Sequence, residues 1–169
     1  MMSALSRART STLFLLIASA AILGTAFVSQ YVGGLDPCIL CLYQRIPYAT
    51  TIALAIIGLS MSDNIQMIRI IHGMAAAVFL VGAGIAAYHV GVEQAWWAGT
   101  AECTGAAPSS AQTVDELRSQ IMAAPGARCD EIAWSLFGIS MSGYNLLASL
   151  ALAGYAVMAS WKNLQQDTS

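Results

Sequence analysis

The stretch LDPCILCLYQRIPY, Leu35 to Tyr48, sets two cysteines and an arginine at the mouth of a long apolar run. As a helix start it offers Asp36 as N-cap and Pro37 at the first helical position, where its missing N–H is not needed. Leu35 and Leu40 then occupy the two positions of a hydrophobic staple. Cys38 becomes the second helical residue, near the positive end of the dipole, which favours thiolate over thiol. Cys41 lies three residues on and Arg45 four beyond that, so all three share one helical face. Pro47 removes the bond to the Tyr43 carbonyl and predicts either a kink or a fresh helix start. Length favours a helix that includes the cysteine turn. Pro47 to Met61 is only about 22 Å, whereas Cys41 to Met61 is about 31 Å, the thickness of the hydrocarbon layer. Cys41 is thereby predicted at the membrane edge.

Working outward, the 169 residues are 57% hydrophobic and 9% charged, against roughly a quarter charged in an ordinary soluble domain. Four segments supply the ~20 apolar residues that a bilayer demands: about 13–32, 41–61, 70–88 and 134–160. Small residues in these runs, among them Gly82, Gly84, Ala148, Ala151 and Gly154, suit close helix packing. The expected fold is an all-α membrane protein, one four-transmembrane-helix bundle over 1–169. The Ala18-Ser19-Ala20 triplet in the first run would suit a cleavable signal peptide, but the run continues well past it and three more spans follow.

Short-loop Lys and Arg set the expected orientation. Arg7 and Arg9 before the first span, Arg69 between the second and third, and Lys162 in the tail put both termini in the cytoplasm. The loops at about 33–40 and 90–132 then face outward, the second rich in Asp and Glu. A net charge of −2 and the lack of a basic cluster exclude nucleic acid as an expected partner.

All four cysteines, Cys38, Cys41, Cys103 and Cys129, fall in or beside those outer loops, where disulfides form and persist. A thiol at the membrane edge suits exchange with a lipid-soluble electron carrier such as a quinone. Arg45 would stabilise a Cys41 thiolate and a developing charge on a quinone oxygen, or would snorkel to the headgroups; position alone does not choose. A bond between Cys103 and Cys129 is either a structural staple worth roughly 3 kcal/mol or an exposed oxidant that turns over. Within the second loop, TVDELRSQIMAA places Thr113 and Glu116 as a capping box, with Val114, Leu117, Ile121 and Met122 on one face of a short amphipathic helix. Trp96 and Trp97 read as interfacial anchors. No metal is expected, since Cys103 and Cys129 lack tight ligand spacing for a four-cysteine zinc site. Haem is equally unsupported, because His72 and His89 lie about 25 Å apart along one helix. His89 either hydrogen-bonds a quinone carbonyl or is an ordinary interfacial histidine.

DPCILCLYQRIPY, YHVGVEQAWW, AECTG and RCDEIAWSLFGISMSGYN, with paired cysteines in both outer loops, together resemble the DsbB family of disulfide bond formation proteins of the bacterial inner membrane. The resemblance spans nearly the whole chain. It implies a protein dithiol:quinone oxidoreductase that reoxidises a periplasmic thioredoxin-like oxidase of DsbA type and passes electrons to the membrane quinone pool, with ubiquinone favoured over menaquinone. It further implies catalytic Cys38, Cys41, Cys103 and Cys129. Cys103 meets the partner, Cys129 exchanges with the first pair through Cys38, and Cys41 reduces quinone beside Arg45 and His89. Two other readings compete. One is a four-span scaffold with static disulfides, which an adjacent Cys-Cys pair in the large loop would have favoured; the other is a thiol reductase running electrons outward.

Overall fold

The computed structural model describes residues 2–61, 63–100, 103, 113–116, 118 and 127–167. Helix α1 (Met2–Tyr31) starts well before the apolar run near residue 13. A helix satisfies its own main chain, so its polar first turns need no partner and continue beyond the hydrocarbon. It ends where Gly34 takes the left-handed conformation, φ 68°, which costs glycine nothing. The N–H groups of Gly33 and Leu35 there bond the carbonyls of Val28 and Ser29 at 3.0 and 3.1 Å.

Helix α2 (Ile39–Ser60) corrects the expected start. Its N-cap is Cys38, not Asp36: Cys38 is extended (φ −71°, ψ 170°) and its sulfur accepts the Cys41 N–H at 3.3 Å. The Cys38 carbonyl takes the first helical bond, from Leu42 N at 3.1 Å. Asp36 stays exposed, where water solvates its carboxylate, while burial of Cys38 against Leu40, Val92, Cys103 and Cys129 holds that residue out of the helix. The helix runs unbroken through buried Pro47, so of the two expectations there the fresh start is ruled out.

Helix α3 (Ile65–Glu93) is capped by Asn64, whose side chain accepts Met67 N at 3.1 Å. It outruns the expected 70–88 at both ends. The expected fourth span is also corrected. Residues near 134 begin not a helix but a hairpin, β1 (Ser135–Leu136) paired antiparallel with β2 (Ile139–Ser140). Phe137 and Gly138 at its tip both have positive φ, 51° and 78°, as a tight two-residue hairpin turn requires. Helix α4 (Met141–Asp167) follows directly.

Helix α3 packs along α4, and α2 contacts both α1 and α3. The core joins Leu15, Tyr48, Ala75, Phe79, Leu152 and Ala156. Cross-helix bonds fix the helix directions. Arg45 meets Gln30, Gln44 meets His89, and Asn145 meets Gln44, so the C-terminal ends of α1 and α3 share one bundle end with the starts of α2 and α4. His72 meets Thr12 and Ser160 meets the Arg69 carbonyl toward the other. Each of α1 to α4 contains a stretch long and apolar enough to cross a membrane. Ile17, Val28, Ile46 and Val81 are exposed on their outer faces, the surface that lipid favours. The chain is a multi-pass membrane protein.

Close packing across the bundle depends on Gly82. A Cβ there would stand 3.0 and 3.1 Å from Pro47 ring carbons and 3.6 Å from Ser149 Oγ, so α3 meets α2 and α4 with no room for a side chain. Gly82→Val is expected to destabilise the bundle by about 1–3 kcal/mol through overpacking. Gly24→Ala, with open space around its Cβ, should show no such loss. Denaturant unfolding of both variants in detergent makes the comparison.

Candidate functional site

The four cysteines come together at the end of the bundle where α2 begins. Cys38, Cys103 and Cys129 are buried in one cluster with Leu40 and Val92, and Cys41 packs on its edge. All four carry free thiols. Cys38 Sγ is 2.8 Å from Cys41 Sγ and 3.6 Å from His89 Nε2. Cys38 Sγ, Cys129 Sγ and His89 Nε2 lie within 4.8 Å of one another. Cys129 N donates to the Cys103 carbonyl at 2.9 Å, and the Cys129 sulfur also meets Cys103 and the Leu40 N–H. Cys38 and Cys129 are thus the sulfurs through which the two pairs meet.

The hydrogen bond to the Cys41 sulfur, then burial, push the Cys38 thiol up to about 12, with the His89 contact opposing. Either sulfur can donate across the Cys38–Cys41 contact. Burial and the Cys103 contact raise the Cys129 thiol as well. Next to it the chain returns to water: Arg128, exposed, pairs with Asp130 at 2.6 Å and Glu131 at 3.4 Å.

His89 is held by a chain of hydrogen bonds running back into the bundle. Tyr48 OH donates to Asn145 Oδ1, and Asn145 Nδ2 to Gln44 Oε1. That leaves Gln44 Nε2 as donor to His89 Nδ1 at 2.7 Å, and Ser149, 3.0 Å from the Tyr48 hydroxyl, as donor to it. With Nδ1 accepting, the uncharged ring carries its proton on Nε2, which faces Cys38 Sγ and, at 3.8 Å, Glu93 Oε1. The amide orientations follow from satisfying the chain, and rotating both amides would reverse every bond in it. Glu93 is held in turn by the Ser140 and Ser142 hydroxyls, both on its Oε2.

Of the residues predicted from sequence, the four cysteines and His89 meet. Arg45 contacts a different helix: its guanidinium donates to Gln30 Oε1 at 2.7 Å and lies 5.0 Å over the Phe27 ring. Its partners among the described residues are thus a neutral amide and an aromatic face on α1. Trp97 stacks on Tyr88 at 5.9 Å and donates to the Tyr88 carbonyl, capping the end of α3, while Trp96 is largely exposed. In the second loop, Thr113 Oγ1 accepts the Glu116 N–H at 3.2 Å and residues 114–116 are helical. Leu117, Ile121 and Met122 lie outside the described residues.

Sequence reasoning gave no role to Gln44, Tyr48, Asn145, Ser149 or Glu93. The available signal was polarity within apolar helices: Gln44 and Asn145 fall inside membrane spans, where a polar side chain needs an internal partner.

Four membrane helices that deliver two cysteine pairs to one end of the bundle define a polytopic protein built around paired thiols. Comparison with known proteins supports a narrower class. The family described as "Disulfide bond formation protein DsbB" matches residues 8–159. Disulfide bond formation protein B 2 of Pseudomonas savastanoi pv. phaseolicola is 36% identical over 164 residues, covering 86% of this chain and 85% of that one. Disulfide bond formation protein B of Xanthomonas campestris is 30% identical, with 87% of each chain covered. The chain belongs to the DsbB family of disulfide bond formation proteins. No solved structure matches it.

Two predictions follow from the geometry. Gln44→Leu strips half-buried Asn145 and buried His89 of a partner each and is expected to cost about 1–3 kcal/mol; in ¹⁵N NMR of the His89 ring it should replace a single Nε2-protonated tautomer by a mixture. Cys41→Ala removes the main cause that raises the Cys38 thiol, so its ionisation moves down in pH. Iodoacetamide should then alkylate Cys38 faster at pH 8 than in the reduced wild type, and an equal or slower rate would refute the assigned hydrogen bond.

Proposed function

We propose that the chain is a thiol:quinone oxidoreductase of the bacterial inner membrane that reoxidises a DsbA-like dithiol oxidase and passes the electron pair to the quinone pool. In this reading both termini are cytoplasmic and the cysteine loops periplasmic. The observation that carries it is the reach of Cys38, 2.8 Å from Cys41 and within 4.8 Å of Cys129, at the start of a membrane-crossing helix. A static scaffold gains nothing from a sulfur poised between two alternative partners. A reductase would use the same sulfurs, and family membership favours oxidation over that direction.

In the oxidised form the Cys103–Cys129 bond is the electrophile. The partner's thiolate attacks Cys103, and Cys129 leaves as a thiolate eased by the Leu40 N–H that faces it. Cys129 then attacks Cys38, which breaks the Cys38–Cys41 bond and releases Cys41. The second thiol of the partner resolves its mixed disulfide with Cys103 and departs oxidised. The Cys103 thiolate so freed attacks Cys129, which breaks the Cys129–Cys38 bond, restores Cys103–Cys129 and leaves Cys38 and Cys41 reduced. Cys41, at the membrane edge, would then give the electron pair of that dithiol, with two protons, to an acceptor in the bilayer as the Cys38–Cys41 bond closes. His89 Nε2–H, aimed at Cys38, steadies negative charge on that sulfur as bonds exchange.

A quinone bound beside Cys41 would supply the acceptor for two electrons and two protons, with Arg45 offered to its oxygens and His89, whose ring nitrogens face Gln44 and Cys38, acting on it through Cys38. Arg45 fits that role because its partners among the described residues, Gln30 and Phe27, are neutral and leave its charge available. An apolar groove of about 260 Å³ lined by Tyr43, Ile46, Pro47, Thr50, Val81 and Ile85 is a poorer place. At about 100° per residue, its α2 residues face away from Cys41 and Arg45.

The test uses prereduced protein, freed of reductant and given a ubiquinone analogue without oxygen. Two thiols should disappear per quinol formed. Cys41→Ser should abolish turnover, and Arg45→Ala should slow it while sparing exchange between the loops. Thiols that stay reduced with both ubiquinone and menaquinone would overturn the reading.

A further inference from the structure

We infer that the reduced cluster is a binding site for a thiophilic d¹⁰ cation, Zn²⁺ or Cd²⁺, formed by Cys38 Sγ, His89 Nε2 and Cys129 Sγ. These three donors, from the α2 cap, from α3 and from the second loop, are each buried and lie within 4.8 Å of one another. A four-cysteine site was unpromising from the spacing of Cys103 and Cys129, but the fold assembles a different donor set that includes a histidine.

The geometry suits tetrahedral coordination. With metal–sulfur bonds of about 2.3 Å and metal–nitrogen bonds of about 2.0 Å, neighbouring sulfur and nitrogen donors stand about 3.6 Å apart. Cys38 Sγ and His89 Nε2 are 3.6 Å apart. Cys41 does not belong to this set: at 2.8 Å from Cys38 it is nearer than two thiolates on one metal, roughly 3.8 Å. Two cysteines and a histidine leave a fourth position, which water fills or Glu93 Oε1, 3.8 Å from His89 Nε2, approaches.

A metal-bound Nε2 must be bare, with the proton on Nδ1. The polar chain behind His89 permits this. Rotation of the Gln44 amide presents Oε1 to Nδ1–H, Asn145 rotates to accept from Gln44 and to donate to Tyr48, and Tyr48 donates to Ser149. Gln44 thus becomes the carbonyl partner that orients a metal-ligating histidine. On binding, two S–H bonds break, two metal–sulfur bonds form, and two protons leave to solvent with no change of oxidation state. Cys38 and Cys129, the two sulfurs that join the pairs, are then closed to disulfide exchange. The binding itself is independent of any electron acceptor.

The full chain in detergent, reduced and cleared of reductant under nitrogen, is titrated with Co²⁺ and read by its thiolate-to-cobalt and d–d absorption. One tetrahedral Co²⁺ per chain, release of two protons and bleaching by one equivalent of Zn²⁺ are expected. Cys41→Ser and Cys103→Ser should retain it. Cys129→Ser and His89→Ala should weaken it at least roughly tenfold, and Gln44→Leu by roughly 10- to 100-fold. In the wild type, Zn²⁺ should shield Cys38 and Cys129 from maleimide but leave half-buried Cys41 reactive, a readout that needs no variant to fold. Absence of tetrahedral cobalt, or a complex that needs Cys41 yet ignores Cys129 and His89, overturns the assignment.

Discussion

A hydrogen-bonding group inside a bilayer has no water to turn to, and the run Ser149, Tyr48, Asn145, Gln44, His89 is how this bundle meets that constraint. Each member satisfies the next, so no single link can be lost without stranding another. The run also crosses three helices: Gln44 and Tyr48 stand on α2, His89 on α3, Asn145 and Ser149 on α4. It holds the starts of α2 and α4 against the end of α3, and it sets the ring that faces Cys38. Packing alone, through alanines and Gly82, brings the helices close without choosing a rotation for any of them. The polar run makes that choice.

The cysteine cluster is the outer end of the same arrangement. Because Cys38 is the cap of α2 rather than part of its first turn, its backbone stays extended and its sulfur folds over the helix start. There it meets the Cys41 N–H, the Cys41 sulfur and His89. One turn more of helix would have swung the sulfur around the axis. Proline at 37 contributes by lacking an N–H, so nothing at that position competes for the cap.

Much of this was legible in the sequence. Apolar runs separated by turn residues mark four spans, and the cysteine positions put all four sulfurs at one end of the bundle. The hairpin escaped detection because SLFGIS is as apolar as a helix, and only the positive φ of Phe137 and Gly138 distinguishes it. Asp36 looked the better cap because capping preference ranks oxygen side chains and ignores burial of a thiol. Gln44 escaped notice because an isolated polar residue in an apolar run reveals that it has a partner, not which one, and Asn145 lies 101 residues away in sequence. Arg45 lies one turn after Cys41 in α2, yet its contacts are with Gln30 and Phe27 on α1, a tertiary pairing that helical periodicity does not contain.

Those contacts give the site a polarity. On the α1 side of α2 stands a cation tied to a neutral amide and an aromatic face. On the α3 and α4 side stands a carboxylate, Glu93, beside His89 and held by Ser140 and Ser142. The two charges reach the cluster by different routes. Glu93 faces the same His89 Nε2 that faces Cys38, so the carboxylate acts on the exchanging sulfurs through the imidazole it helps to orient. Arg45 stands one turn after Cys41 on α2 and is tied to α1, on the side of the helix away from His89. One helix start thus carries an anion where the two cysteine pairs meet and a cation on its α1 side, and the proposed reaction uses the first to position His89 and the second to meet an acceptor's oxygen.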